Sequence, residues 1–249
     1  MAFLKKFLFR NLSLENYLRV LQRTYFTLYK TGLLRWNKKI YGYHYYVKKL
    51  IKHGDTVIDI GANLGYYSLL FSKWVGTTGK VYAVEPVPIY QKTLMEMAGK
   101  TTNIHLIPYA LGTEESEIEM SLPTIGGYLH TGRAHVEERA DHVAKDIIFK
   151  AKMQTPQTVF NNIKKVDYIK CDTEGFEYVI LSNMYTLISQ YKPILQIEVA
   201  IENREKLDSL LEGIGYEKFV LYKNTLIRYQ LAKNKNAEYE FIYIYKPQK

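Results

Sequence analysis

From Asp55 onward, short apolar runs alternate with segments whose apolar residues recur at helical spacing. This rhythm predicts strands and helices in turn, and hence a mostly parallel sheet covered on both faces. Strands are expected at Val57–Ile60, Val81–Val84, Ile104–Pro108, Val166–Lys170, Ile194–Glu198, Lys218–Tyr222 and Glu240–Tyr245, the last two closing the sheet antiparallel. Helices are expected at Tyr66–Trp74, Pro88–Gly99, Phe176–Leu187 and Asn203–Glu212, with Asn224-Thr225 and Lys233–Asn236 as loop material. Residues 113–160 break the rhythm: Glu117–Ser121 suits one short extra strand, and Pro123–His135 then carries three glycines, two histidines and an arginine. An insertion of this length reads as a lid or binding loop.

Before Asp55 the periodicity is helical. Phe3, Leu4, Phe7 and Leu8 share one face, with Lys5, Lys6 and Arg10 off it. Ser13 can cap a second helix bearing Leu14, Tyr17, Leu18, Leu21, Tyr25 and Leu28, which Gly32 ends. A third helical segment spans Tyr43–Lys52. The chain thus divides into a helical arm, residues 1–54, and an α/β domain, residues 55–249, with the 113–160 insertion.

Composition narrows the class. With 249 residues, 47% of them hydrophobic and 24% charged, the chain can bury one substantial core and is not bulk-disordered. A single cysteine, Cys171, excludes an intramolecular disulfide and a multi-cysteine metal site, and its apolar strand setting reads as a buried, inert thiol. No run reaches the ~20 apolar residues of a membrane span. Lysines interrupt the Met1–Arg10 segment and no small-residue cleavage site follows it, so a cytoplasmic protein is expected. The net charge of +9 is carried by the arm, where twelve Lys and Arg face one acid, Glu15. Such an arm suits the inner face of an anionic membrane or an acidic partner; equally, its apolar stripe can pack on the domain while its lysines are merely solvated. Nucleic acid is disfavoured, because no recognisable binding module accompanies the charge.

The chemistry concentrates where the first two strands end. Asp59-x-Gly61-x-Asn63-x-Gly65 follows the first strand, and Glu85 ends the second. Glycines let backbone approach a nucleoside-bearing ligand, and an acid at the second strand tip accepts hydrogen bonds from ribose hydroxyls. An acid before the first glycine would repel a pyrophosphate but attract an ammonium, which favours S-adenosylmethionine over a nicotinamide dinucleotide. A tight turn without any ligand is the plain alternative.

Together with Asp167-Tyr168-Ile169-Lys170-Cys171-Asp172-Thr173-Glu174-Gly175-Phe176-Glu177 and Pro193-Ile194-Leu195-Gln196-Ile197-Glu198, these motifs resemble the FkbM family of class I S-adenosylmethionine-dependent methyltransferases, which an I-K-x-D-x-E-G-x-E segment distinguishes. The likeness covers about residues 50–200 and departs at Thr158-Val159-Phe160, where many members carry a Leu-Asp pair. It implies a Rossmann-like three-layer α/β sandwich with a mostly parallel seven-stranded sheet. It also implies methyl transfer to a hydroxyl of a glycan, a glycolipid or a related secondary metabolite. By position it assigns Asp59, Gly61, Asn63 and Gly65 to the cofactor turn, Glu85 to the ribose, and Ala110 and Leu111, beside Tyr109, to the adenine.

An aliphatic hydroxyl needs a general base or a metal to become a nucleophile at neutral pH. Asp172, where the fourth strand gives way to a helix, is the first candidate to orient or deprotonate the acceptor; Glu174 is the second, or else only favours the N-terminus of the following helix, and Glu198 can complete an acidic cluster. His135, with His130 behind it, is the rival base from the insertion. Lys170 shares a strand face with Asp172, and a pairing between them is the simplest expectation. The three acids would suit a hard divalent cation such as Mg²⁺, but carboxylates commonly cluster at strand ends without one, so no metal is assigned. Two alternatives stand beside O-methyl transfer: a nucleic-acid methyltransferase served by the basic arm, and a protein that binds S-adenosylmethionine without turnover. Asp-Thr-Glu-Gly in place of an Asn/Asp-Pro-Pro-Tyr/Phe motif argues against methylation of base amino groups.

Overall fold

The computed structural model describes residues 2–131, 135–136, 147–231 and 239–247, with 135, 136 and 231 described by backbone alone. In chain order the elements are α1 (Ala2–Asn11), α2 (Leu14–Lys30), α3 (Lys38–Tyr46), β1 (Thr56–Ile60), α4 (Tyr66–Val75), β2 (Lys80–Val84), α5 (Pro88–Ala98) and β3 (Ile104–Ile107). The inserted region holds β4 (Ala110–Leu111), β5 (Ser116–Leu122), β6 (Thr124–Ile125), β7 (Tyr128–Leu129), β8 (His135–Val136) and β9 (Ile147–Gln154). The chain then forms α6 (Pro156–Phe160), β10 (Tyr168–Cys171), α7 (Glu177–Asn183), α8 (Tyr185–Tyr191), β11 (Ile194–Glu198), α9 (Ile201–Ile214), β12 (Tyr216–Tyr222), β13 (Thr225–Arg228) and β14 (Glu240–Tyr245).

The main sheet runs β13-β12-β14-β11-β10-β1-β2-β3. Its strands β11, β10, β1, β2 and β3 are parallel, while β14 pairs antiparallel with both β11 and β12. Alternate strand residues feed opposite faces. Ile58, Ile60, Ile169, Cys171, Phe241 and Tyr243 pack with α7, α8 and α9, whereas Val57, Tyr168 and Ile242 pack with α4, α5 and the end of the arm. The result is an α/β three-layer sandwich. Cys171 is fully buried, and burial pushes its thiol well above the usual range.

Three expectations are corrected. The sheet has eight strands, because Thr225–Arg228 folds back on β12 through a two-residue turn in which Lys223 and Asn224 both take positive φ. Such a turn usually announces itself by glycine, which is missing here. The 113–160 insertion is no simple loop: its strands β5, β8 and β9 form a second sheet together with β4, which lies just before it. Its longest pairing sets Glu117 and Glu119 of β5 opposite Lys152 and Lys150 of β9. The expected helix Phe176–Leu187 breaks at Met184 into α7 and α8.

The arm's stripe packs on the domain. Ser13 caps α2 as anticipated, its side chain accepting from the Asn16 amide at 3.4 Å. Tyr17 and Leu18 are fully buried against Leu64, Val87, Tyr90, Leu122 and Leu129, burial worth about 1.5–3 kcal/mol for a leucine. Gln22, equally buried, donates to the carbonyls of Leu64 at 2.6 Å and Thr93 at 3.2 Å. Helix α3 ends at Tyr46, and a 3-10 turn, Val47–Lys49, leads to the first strand.

Candidate active site

The carboxyl ends of β1, β2, β10 and β11 open into a cavity of about 330 Å³. In a parallel sheet this edge is where ligands bind, because the chain leaves neighbouring strands in different directions there. The cofactor turn forms one wall. Gly61, at φ +78°, lies so close to the next turn that a β-carbon would stand 1.9 Å from the Asp172 carbonyl oxygen. Asn63 also takes positive φ, at 52°. Its amide donates to Glu85 Oε2 at 2.7 Å and its Nδ2 to the Thr131 carbonyl at 2.6 Å, which ties the turn to the inserted region.

Glu85 receives a second amide, that of Val87, at 2.9 Å. Burial nevertheless pushes its carboxyl up to about 7, against the pull of these two amides. Asp59 lies beneath the turn, wholly buried, with Oδ2 accepting from Ser68 at 2.5 Å. Among the described residues its Oδ1 has no partner, although Asp59 lines the cavity. An unmet buried acceptor costs stability unless a ligand supplies the donor. That orphan oxygen, the close backbone at Gly61 and the Glu85 carboxyl beside the turn fit the ammonium, methionine and ribose parts of S-adenosylmethionine. Ala110 and Leu111 line the opposite wall beside Tyr109. Gly65 does not line the cavity: it begins α4 at φ +79°, where a β-carbon would meet Leu94 Cγ at 2.7 Å, so it serves helix packing.

The second wall belongs to β10 and β11. Lys170 Nζ, almost wholly buried, donates to Asp172 Oδ2 at 2.9 Å. Burial alone would lower the Lys170 ammonium, but Asp172 and Asp59 outweigh it and hold the pKa above the usual lysine value. Since Cys171 pairs with Ile197, Asp172 and Glu198 leave the sheet side by side. Glu198 is open to solvent at the mouth but crowded by protein; that desolvation and the adjacent Asp172 carboxylate push it up to about 7. Glu174, at φ +54°, also lines the cavity. The last acid of the run, Glu177, acts from behind: its Oε1 accepts from the Thr173 amide at 2.8 Å, the Thr173 hydroxyl at 3.1 Å and the Gly175 amide at 3.1 Å. It shapes the turn that presents Asp172 and Glu174.

His130 stacks on Tyr128 and does not line the cavity. The backbone of His135 pairs with Ser121, and its side chain lies outside the described residues, as do residues 132–134 of the same segment. Among the described residues no group of three or more His, Cys, Asp and Glu side chains is arranged to hold a metal ion.

Two features escape a reading of motifs. His44 reaches the cavity from the arm, bonded through Nδ1 to the Tyr25 hydroxyl at 2.5 Å and stacked on Tyr67 at 4.2 Å. Burial and the nearby Lys170 press its pKa down to about 3. Behind the wall, Glu240 bonds to Gln196, and burial drives it up to about 8. Both come from outside the methyltransferase motifs, and only the unusual density of aromatic residues around His44 hints at an enclosed site.

Structural likeness to known proteins is distant throughout. An FkbM methyltransferase from Methylobacillus flagellatus superposes with a TM-score of 0.49 at 17% identity, covering 77% of this chain and 43% of that one. This chain therefore spans less than half of that relative's length. Aeropyrum pernix fibrillarin, with S-adenosyl-L-methionine bound, gives a TM-score of 0.43 at 13% identity over 78% of this chain and 68% of that one. An O-methyltransferase from Thermotoga maritima gives 0.45 at 12% identity over 80% and 62%. No curated protein matches by sequence. The profile of the methyltransferase FkbM domain matches residues 59–218, from the cofactor turn into β12, and the chain belongs to that family of S-adenosylmethionine-dependent methyltransferases.

Proposed function

We propose that this methyltransferase acts on a hydroxyl oxygen, and that its acceptor is an uncharged, polyhydroxylated molecule such as a glycan or the sugar of a glycolipid. The observation that carries the reading is Glu198 beside the Lys170–Asp172 pair, on the same cavity as the cofactor turn. The bound cofactor supplies an electrophilic methyl group that needs no further activation. The protein must hold the acceptor oxygen in line and remove its proton. The sequence favours Asp172 as base, but its Oδ2 is committed to Lys170, which suits it to orient the acceptor hydroxyl. Glu198, raised to about 7 and accessible, would take the acceptor's proton while a bound cofactor supplies the methyl group to the oxygen.

The lining supports the acceptor class. Among the described lining residues at this end, the carboxyl groups of Asp172 and Glu198 meet one cation, Lys170, an excess of negative charge that repels phosphate or carboxylate on an acceptor. Aromatic side chains Tyr66, Tyr109 and Phe176 line the cavity and offer the flat apolar surface that sugar rings use alongside carboxylate hydrogen bonds. The same charge disfavours a nucleic-acid backbone in the cavity.

The test compares Glu198→Gln and Asp172→Asn with wild type on a panel of sugar and glycolipid acceptors, with cofactor affinity measured separately by calorimetry. Loss of a general base costs about 10²- to 10⁴-fold in turnover. Full turnover by Glu198→Gln removes Glu198 from the role, and methylation of RNA in preference to every sugar removes the acceptor class. Binding of S-adenosylmethionine with no transfer to any acceptor would favour a non-catalytic protein.

A further inference from the structure

Part of the arm is core, but another part is not used by the fold. Leu8, Phe9 and Leu12 turn α1 towards the domain, with the Phe9 ring 5.1 Å from Tyr17. This orientation sends Phe3, Leu4 and Phe7 outward, Phe3 being 84% exposed. Just past α2, Leu33, Trp36 and Ile40 are exposed as well, Trp36 at 90%. Half of the exposed large apolar side chains among the described residues therefore lie in the first 40 positions. Arg10 accompanies the first group, and Lys38 and Lys39 the second, while Lys6 lies against Gly127 of the inserted region. The arm's one acid, Glu15, is occupied by Lys92 at 2.6 Å and Arg19 at 3.4 Å.

Exposed aromatic and aliphatic side chains interleaved with cations that no acid opposes among the described residues match the chemistry of an anionic lipid interface, where rings and methyl groups sit among the headgroups and ammonium groups meet phosphates. A nucleic acid would use the charge but leave the apolar side chains in water. We propose that the outward face of α1, together with the Leu33–Ile40 segment, docks this protein on an anionic membrane surface. No helix among the described residues is long and apolar enough to cross a membrane, so the contact is peripheral. Helix α1 also rests on the inserted region, with Lys5 Nζ 5.8 Å from the Tyr128 ring centroid. The adjoining Thr131 carbonyl holds Asn63 of the cofactor turn. Helix α1 and the cofactor turn thus contact the same inserted segment.

Deleting residues 1–54 would remove Tyr17, Leu18, Gln22 and His44 from the core and cavity, so point variants make the test. The full chain is floated with vesicles of phosphatidylcholine containing about a third phosphatidylglycerol, and with phosphatidylcholine alone. Recovery on anionic but not neutral vesicles is expected. Combined Phe3→Ser, Phe7→Ser and Trp36→Ser should reduce it roughly tenfold or more, with melting temperature and cofactor uptake unchanged. Lys38→Glu with Lys39→Glu should weaken anionic recovery and leave the neutral control alone. Equal recovery of the triple variant, or no recovery of wild type, overturns the proposal. So does sedimentation showing that the triple variant only splits a dimer, which would make the patch a contact between copies.

Discussion

Gly61 faces the backbone carbonyl of Asp172 at a separation that leaves no room for a β-carbon, which would lie 1.9 Å from that oxygen. The turn that receives the cofactor and the turn that presents the acceptor-side acids are therefore packed backbone to backbone. A displacement of one moves the other.

Gly61→Ala should accordingly abolish cofactor uptake in calorimetry and lower the melting temperature, since positive φ and the overlap with Asp172 act together; the backbone strain alone costs about 1–3 kcal/mol. Gly213→Ala is the matched control: within α9 a β-carbon there meets nothing within 4 Å. It should be neutral or stabilise by about 0.5–1 kcal/mol through helix propensity.

The rate should carry an ascending pH limb. A base must be deprotonated to act, and Glu198 is raised to about 7, so turnover at saturating cofactor should rise through that value and level off above it. Glu198→Gln should remove the limb along with most of the rate. An unshifted limb in that variant would point to another group.

Glu240 predicts a pH-dependent stability difference. Its carboxyl ionises at the usual value when the chain is unfolded but only at about 8 in the fold, so the folded state binds the extra proton in between. The stabilisation is full below the unfolded value and is lost as pH rises through about 8. Glu240→Gln mimics the protonated acid and should be nearly neutral at low pH. Thermal melts should show the balance moving towards the variant as pH climbs from the ordinary carboxylate range to about 8.

The arm should be inseparable from the active site. Gln22→Leu removes both hydrogen bonds that tie α2 to the Leu64 and Thr93 carbonyls, leaving buried acceptors unmet. A loss of about 1–3 kcal/mol in denaturant unfolding is expected, with weaker cofactor binding because Leu64 follows Asn63 in the turn. Unchanged affinity would separate arm from site.

Much of this architecture was legible in the chain. The apolar runs that became β1, β2, β10 and β11 are short, bounded by turn residues and buried on both faces, so local pattern and final environment agree. Where they disagree, the reading fails for identifiable reasons. Strand β9 alternates lysines with apolar residues and gains its partners from β4 and β5, well before it in the chain, pairing Lys150 with Glu119 of β5. Strand β13 depends on a turn whose positive-φ residues, Lys223 and Asn224, are not the usual ones. Gly65 fits a cofactor motif by spacing, yet its missing side chain is demanded by Leu94.

The sequence by itself determined the strand-turn-helix order, the acids at the strand ends and the basic character of the arm, because these follow from residue type and short spacing. Only the tertiary structure decided what each acid can do. Lys170 commits Asp172, crowding raises Glu198, Glu177 is turned away to brace a loop, and His44 arrives from a helix more than a hundred residues earlier in the chain. Charge and protonation depend on distance and solvent access through space, and neither quantity is written in the order of residues.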